Sequence, residues 1–200
     1  MLFNFIKKKG KLLDKKELMN DYNASAGIYD LRYRDEQMLK MSFVMSRVRV
    51  KEEDIAFDVG CGTGIFLERL HNNEDKAGLL VGIDSSINML MEAKRKNADL
   101  ELVLADAEKM PFKDEACDVA FSISVFQLMD DPRKGIAELI RLIKGGGEFA
   151  VTILRKSKMA HELGSFKNAD MEIYDSETMK DVFLIGRRTV TDHGCEYAAT

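Results

Sequence analysis

No stretch of this 200-residue chain approaches the ~20 consecutive apolar residues that a membrane-spanning helix requires, so no span is expected. Cysteine is scarce and odd in number. Cys61, Cys117 and Cys195 form no CxxC pair, which excludes a disulfide framework and a zinc ribbon and favours a reducing compartment. His71, His161 and His193 lie far apart without ligand spacing, so no metal site is expected. Positive charge is not in excess. A net charge of −4 argues against a protein whose affinity comes mainly from neutralising phosphates, and hence against nucleic acid as the main partner. The only N-terminal apolar cluster, Leu2 to Ile6, is broken by Asn4 and followed, not preceded, by Lys7, Lys8 and Lys9, the wrong order for a secretory signal. The expected location is cytoplasmic. Repeats and low-complexity segments are also missing, and 46% hydrophobic with 32% charged residues suits one domain with a sizeable core.

What is present centres on Asp58 to Gly64, DVGCGTG. A short apolar run, Ile55 to Phe57, precedes it, and Ile65, Phe66, Leu67 and Leu70 follow at helical spacing. The pattern is strand, glycine turn, helix. Glycines at 60, 62 and 64 permit positive φ and remove the Cβ atoms that would hold a ligand off the main chain.

Before this turn, residues 1 to 20 carry six lysines against Asp14 and Glu17. They read as a solvated helix or frayed tail, or else as a basic arm or membrane-surface helix using Leu2, Phe3, Phe5 and Ile6. From Asp21 to Val50, Tyr22, Tyr29, Tyr33 and Phe43 alternate with charges, and Leu39, Phe43, Val44 and Val48 fit one helix face. Residues 1–50 therefore form a helical extension or lid, 51–190 the main domain, and 191–200 a patternless tail.

After the turn, Ala77 to Asp84 is an apolar run of the kind a central parallel strand shows. Asn88 to Ala98 predicts a helix, Leu100 to Ala107 a third strand, Cys117 to Ser124 a fourth. Asp131 and Pro132 predict an N-cap and first-turn proline for a helix running to Lys144. Gly145, Gly146 and Gly147 end it, and Glu148 to Leu154 is a fifth strand. Met171 to Tyr174 and Asp181 to Arg187 predict an antiparallel hairpin at the sheet edge. Alternating strands and helices call for a doubly wound α/β sheet with right-handed crossovers.

Ligands of such sheets sit outside the carboxyl ends of the strands. The glycine turn brings backbone N–H groups and a helix start there. Asp84 ends the second strand, placed for ribose hydroxyls. Asp106 ends the third, placed for an exocyclic amine, with the Ala107 amide beside it for a ring nitrogen. Met110, Ile83 and Met89 are placed to sandwich a flat base. Singly, each acid also fits a solvated strand end; two after successive strands downstream of the turn point to a ligand. Asp58, flanked by Phe57 and Val59, needs a partner if buried, and an ammonium would supply one. The ligand so described is an amino acid joined to a nucleoside.

DVGCGTG, VGIDSS, LADAEKMPFKDEACDVAFSISVFQLMDDP and AELIRLIKGGG resemble the class I S-adenosylmethionine-dependent methyltransferases, nearest the branch containing quinone C-methyltransferases and small-molecule methylating enzymes. The resemblance covers about Asp54 to Leu154. It implies a single Rossmann-like domain with a seven-stranded, mostly parallel sheet in the order 3-2-1-4-5-7-6, strand 7 antiparallel. It also implies methyl transfer from S-adenosyl-L-methionine to a small-molecule acceptor, with S-adenosyl-L-homocysteine as product. By this resemblance Gly60, Gly62 and Gly64 pass under the methionine portion, with Asp58 near its amino group. Asp84 holds the ribose, bordered by Ser85 and Met89; Asp106 and Ala107 read adenine; Ser122 lies near the methionyl carboxylate and sulfur. Gln127 stands where many relatives have histidine. Because Arg155 to Asp170 is short, residues 18 to 45 must roof the acceptor pocket, with Tyr22, Tyr29, Tyr33 and Gln127 as its candidate lining; helix packing is the alternative for the tyrosines. Two further readings stay open: an RNA methyltransferase using the basic N-terminal arm, and a non-catalytic S-adenosyl-ligand-binding partner subunit. A nicotinamide dehydrogenase also fits Asp84, but the second acid at 106 and the GxGxG spacing speak against it. No (D/N)PP(Y/F) follows strand four, so the amino-group DNA methyltransferases are set aside.

Overall fold

The structure, a computed structural model of the chain, describes residues 7–8, 11–12, 14–72, 77–129, 131–157, 160, 165–175 and 179–190. The patternless tail, His161, His193, Cys195, Asp130 and the apolar cluster Leu2 to Ile6 lie outside the described residues. Where a helix or frayed tail was expected, Lys7–Lys8 instead pairs antiparallel with Lys11–Leu12.

Helix α1 (Lys15–Met45) then runs unbroken for 31 residues. Its start is fixed by a capping box: Asp14 Oδ1 accepts from the Glu17 N–H at 2.8 Å, and Glu17 Oε2 accepts from the Asp14 N–H at 3.1 Å. Seven strands follow: β1 (Ile55–Val59), β2 (Leu79–Asp84), β3 (Glu101–Leu104), β4 (Cys117–Ile123), β5 (Ile143–Leu154), β6 (Ala169–Tyr174) and β7 (Asp181–Arg188). Between them lie α2 (Ile65–His71), α3 (Ile87–Lys96) and α4 (Pro132–Leu142). The sheet order is β3-β2-β1-β4-β5-β7-β6. β1 to β5 are parallel, and β7 runs antiparallel to both of its neighbours. This is the expected fold.

Each face of the sheet is covered. Ile136, Leu139 and Ile140 of α4 pack on Phe57, Val59 and Phe149, while Met41, Val44, Phe66 and Leu70 of α1 and α2 pack on Phe121 and Phe183. The Phe66 and Phe121 rings meet edge to face at 4.9 Å. Alternation along β1 sends Phe57 and Val59 to the α4 side and Ala56 to the other. Asp58 therefore shares the side covered by α1 and α2.

Local differences from the sequence reading have physical reasons. β5 begins at Ile143, within the run expected to end a helix. Cys117 pairs with Ile143 but Val119 with Glu148, so the glycines are taken up as a bulge in the strand, Gly146 at φ +82°. Asp131 occupies the N-cap position without a side-chain cap; its carboxylate lies 3.7 Å from Lys134. Leu39 is 66% exposed, whereas Gln37 and Lys40 are buried. Helix α1 turns a polar face inward because it crosses the carboxyl ends of the strands, where polar groups await partners.

Pins along α1 hold it there. Asn23 Oδ1 accepts from Ser86 Oγ at 2.7 Å and from the Asn88 N–H at 3.1 Å. Asp30 accepts from Thr63 and, at 2.7 Å, from Lys96. Arg69 donates to Ser42 at 3.1 Å.

Candidate active site

The turn after β1 holds Gly60, Gly62 and Gly64 at φ +76°, +54° and +76°. At Gly60 a Cβ would collide with the Val125 side chain; at Gly62 it would meet nothing within 4 Å, because that α-carbon faces open space. Gly64 serves packing: its Cβ would lie 3.0 Å from that of Ala93 on α3.

Two cavities meet at this turn, and Gly60, Gly62, Tyr29 and Ile123 belong to the walls of both. The larger is lined by Asp84, Ser85, Met89, Asp106 and Ala107 from the sheet's carboxyl end, by Lys15, Leu18, Met19 and Tyr22 of α1, and by Ser124, Val125, Leu128 and Met129 after β4. The smaller, about 30 Å³ and so sufficient for a water-sized group, is lined by Asp58, Gln37, Met41 and Thr63 among others.

Asp84 is braced from behind. Its Oδ2 accepts from the Gly62 N–H at 2.9 Å and its Oδ1 from the Ser86 N–H at 2.8 Å. Burial raises its carboxyl above the usual range, and those backbone donors oppose the rise. Asp106 stands at the other end. Burial works against its ionisation, but Lys15 and the Glu108 N–H, at 3.0 Å, bring its carboxyl below the usual value.

Asp58 is 2% exposed. Burial, reinforced by the Asp84 charge, pushes its carboxyl up to about 8. Gln37 Oε1, in the same small cavity, is buried without a hydrogen-bond partner. The unpartnered amide oxygen faces the same water-sized space as this reluctantly ionising carboxyl, and an ammonium there would satisfy the first and draw the second into its charged form. The residues present thus fit an ammonium group here and a nucleoside in the larger cavity, joined across a turn that carries no side chain.

Of the residues picked from sequence, the structure gathers Asp58, Gly60, Gly62, Asp84, Ser85, Met89, Asp106, Ala107, Tyr22 and Tyr29 around the cavities. Others it places elsewhere. Ser122 is fully buried and donates to the Val59 carbonyl at 2.9 Å. Met110 is buried and absent from either lining. Tyr33 sits behind the wall, its ring 4.9 Å from that of Tyr29. Gln127 is also behind the wall, donating from Nε2 to the Ser124 carbonyl at 2.6 Å. Gln37 and Ser124 were missed. Gln37 carries no motif; Ser124 stands only two residues past Ser122, and no feature of the sequence separates the two.

An open sheet with its switch point between β1 and β4, a glycine turn and two acids at successive strand ends define a Rossmann-like nucleotide-binding protein. Residues 57–151 match the family described as "Methyltransferase domain". Over 152 residues the chain is 30% identical to malonyl-[acyl-carrier protein] O-methyltransferase of Marinomonas sp. (strain MWYL1), covering 72% of this chain and 54% of that protein. Over 95 residues it is 34% identical to demethylmenaquinone methyltransferase of Renibacterium salmoninarum, covering 47% and 38%. Among solved structures, the Haloferax volcanii methyltransferase in complex with the Trm112 methyltransferase activator superposes with a TM-score of 0.71 at 19% identity, covering 84% of this chain and 98% of that one. The chain carries, over residues 57–151, a methyltransferase domain of the class I S-adenosylmethionine-dependent type. It spans about half the length of the curated relatives it matches.

Proposed function

We propose that this chain transfers a methyl group from S-adenosylmethionine to a small-molecule acceptor. The observation that carries the reading is the pair of cavities sharing Gly60 and Gly62, with Asp84 and Asp106 walling one and Asp58 with the unpartnered Gln37 Oε1 walling the other. Asp84 is placed to accept from ribose hydroxyls, since its two oxygens keep acceptor capacity beyond the backbone N–H groups of Gly62, Ser85 and Ser86. Asp106 and the Ala107 amide are placed for the adenine edge, with Ile83 and Met89 against its face. Asp58 and Gln37 receive the amino group.

When bound, the cofactor supplies an electrophilic methyl group on a sulfonium centre. What the protein adds is mainly orientation, which is worth ~7 to 11 kcal/mol when reacting atoms are held in near-attack geometry. Helix α1 roofs the large cavity with Leu18, Met19, Tyr22 and Tyr29, excluding water and giving the acceptor an apolar bed. That roof favours a small molecule over RNA. Lys15, a lysine of the basic arm that lines the cavity, is already committed to Asp106 and Glu108.

Calorimetry with S-adenosylhomocysteine tests the cofactor site: saturable one-to-one binding is expected, and a folded protein that binds none defeats the proposal. Mass spectrometry of a cell extract incubated with the protein and isotopically labelled methyl donor then identifies the acceptor.

A further inference from the structure

Behind the wall of the larger cavity, just past the end of β4, lies a buried polar network that takes no part in the cofactor contacts proposed above. Ser124 lines the cavity and is 5% exposed. Its hydroxyl donates to Asp181 Oδ2 at 2.6 Å and accepts from Lys40 Nζ at 2.8 Å. Thr152 Oγ1 donates to the same Asp181 oxygen at 3.0 Å and accepts from the Ser124 N–H at 2.9 Å. Lys40 Nζ also lies 3.0 Å from Asp181 Oδ1 and 3.2 Å from Glu36 Oε1. Glu36 continues to Lys180 Nζ at 2.5 Å, a side chain 67% exposed. A chain of hydrogen-bonding groups therefore runs from the cavity wall to the surface.

Ser124 is held in place at some cost. It is one of three non-glycine residues among those described with positive φ, at +60°, and Gln127 clamps its carbonyl. With one acceptor site taken by Lys40 and its proton given to Asp181, the hydroxyl keeps one lone pair, on a residue that lines the cavity.

Resting on the methyl-transfer reading, we propose that the acceptor is a neutral, ionisable hydroxyl of the phenol or enol type on an apolar body, and that Ser124 passes its proton to Asp181. The acceptor O–H bond breaks as its proton joins Ser124 Oγ, and the Ser124 proton moves to Asp181 Oδ2. Asp181 becomes a neutral carboxylic acid, the acceptor oxygen becomes the anion that attacks, and no electrons change owner between the two. The network holds two ammoniums and two carboxylates, Lys40 and Lys180 against Asp181 and Glu36, so it carries no net positive charge to recruit a carboxylate. A carboxylate acceptor also has no proton to give. Ser124, Asp181, Tyr22, Tyr29, Leu128 and Met129 instead suit a hydroxyl on a flat apolar frame.

The test compares the full chain with Ser124→Gly, which relieves the positive φ and leaves Lys40 and Thr152 each on Asp181. Calorimetry with S-adenosylhomocysteine should give the same affinity for both proteins; absence of binding to either defeats the methyl-transfer reading and with it the relay. Next, 4-nitrophenol is titrated into both S-adenosylhomocysteine-loaded proteins at about one pH unit below its own ionisation. The wild type should raise the visible phenolate band and Ser124→Gly should not; no band in the wild type, or an equal band in both, overturns the relay while the cofactor site stands. Finally, labelled-methyl incorporation in an extract should place the methyl on oxygen, with the variant slower by about 100-fold or more. A label on nitrogen or carbon, or no product that depends on Ser124, overturns it.

Discussion

The Gly62 N–H donates to Asp84 Oδ2 across 22 residues, so the turn that closes the first strand is tied to the carboxylate that closes the second. With the Ser86 N–H on its other oxygen, Asp84 is fixed before any ligand arrives. Asp84→Ala should weaken S-adenosylhomocysteine binding by about 1.5 to 3 kcal/mol, the range for a hydrogen bond to a charged group. Calorimetry reads the loss, and circular dichroism should show the fold retained. Unchanged affinity removes Asp84 from the site.

Asp58 predicts a pH dependence with a definite sign. Its folded value, about 8, lies above the 3.8 of an ordinary aspartate. Between those two pH values the folded protein holds a proton that the unfolded chain has released. Stability from this group is thus full below the lower value and lost as pH rises through the upper one, by at most about 1.4 kcal/mol per unit. An ammonium in the small cavity reverses the preference. Binding of S-adenosylhomocysteine at neutral pH should therefore release a proton, and affinity should climb as pH approaches 8. Calorimetry in buffers of different ionisation enthalpy measures that proton directly. Asp58→Asn should abolish both the release and the pH slope.

Much of this was legible in the sequence, for a reason particular to parallel sheets. Their strands are apolar throughout and end in whatever meets the ligand, so Asp84 and Asp106 announce themselves by interrupting apolar runs, and glycine spacing announces the turn between them. What escaped notice sits on α1 and just past β4. Val44 of α1 and Val48 just past its end are buried as apolar periodicity indicated, but α1 also buries Gln37 and Lys40 while leaving Leu31 90% and Leu39 66% exposed, which periodicity did not show. Its inward face is chosen by partners that are distant in sequence, Asp181 and Ser124 among them. Ser122 and Ser124 show the same limit: the first spends its hydroxyl on Val59, and the second, at φ +60°, gives its own to Asp181 from a place in the cavity wall.

The two inner glycines should fail in different ways. Both have positive φ, a conformation costing an alanine roughly 1 to 2 kcal/mol. Gly60→Ala adds a clash with Val125 and should lower the melting temperature well beyond that strain. Gly62→Ala meets no protein atom within 4 Å, so the protein should stay folded with only the torsional cost. Its methyl group enters the ligand's space instead. Thermal denaturation and calorimetry run side by side should show stability lost mainly at 60 and binding lost mainly at 62; the reverse pattern contradicts the position given to the turn.

Lys40 and Asp181 supply the last prediction. The ammonium side chain is 4% exposed and the carboxylate 0%, an ion pair taken fully out of water. Its mutual attraction about offsets the desolvation of both charges, so the pair as a whole adds little to stability. Removing one member is a different matter, because the survivor keeps its desolvation cost and loses its partner. Lys40→Met leaves Asp181 beside the hydroxyls of Ser124 and Thr152 only, and should destabilise the fold by about 3 to 5 kcal/mol. Lys40→Met combined with Asp181→Leu removes both charges and should recover most of that loss, since no ion is left stranded. Chemical denaturation of the wild type, single and double variants measures the three stabilities. If the single variant is as stable as the wild type, the lysine is hydrated in solution, and α1 does not seal the strand ends as the geometry requires.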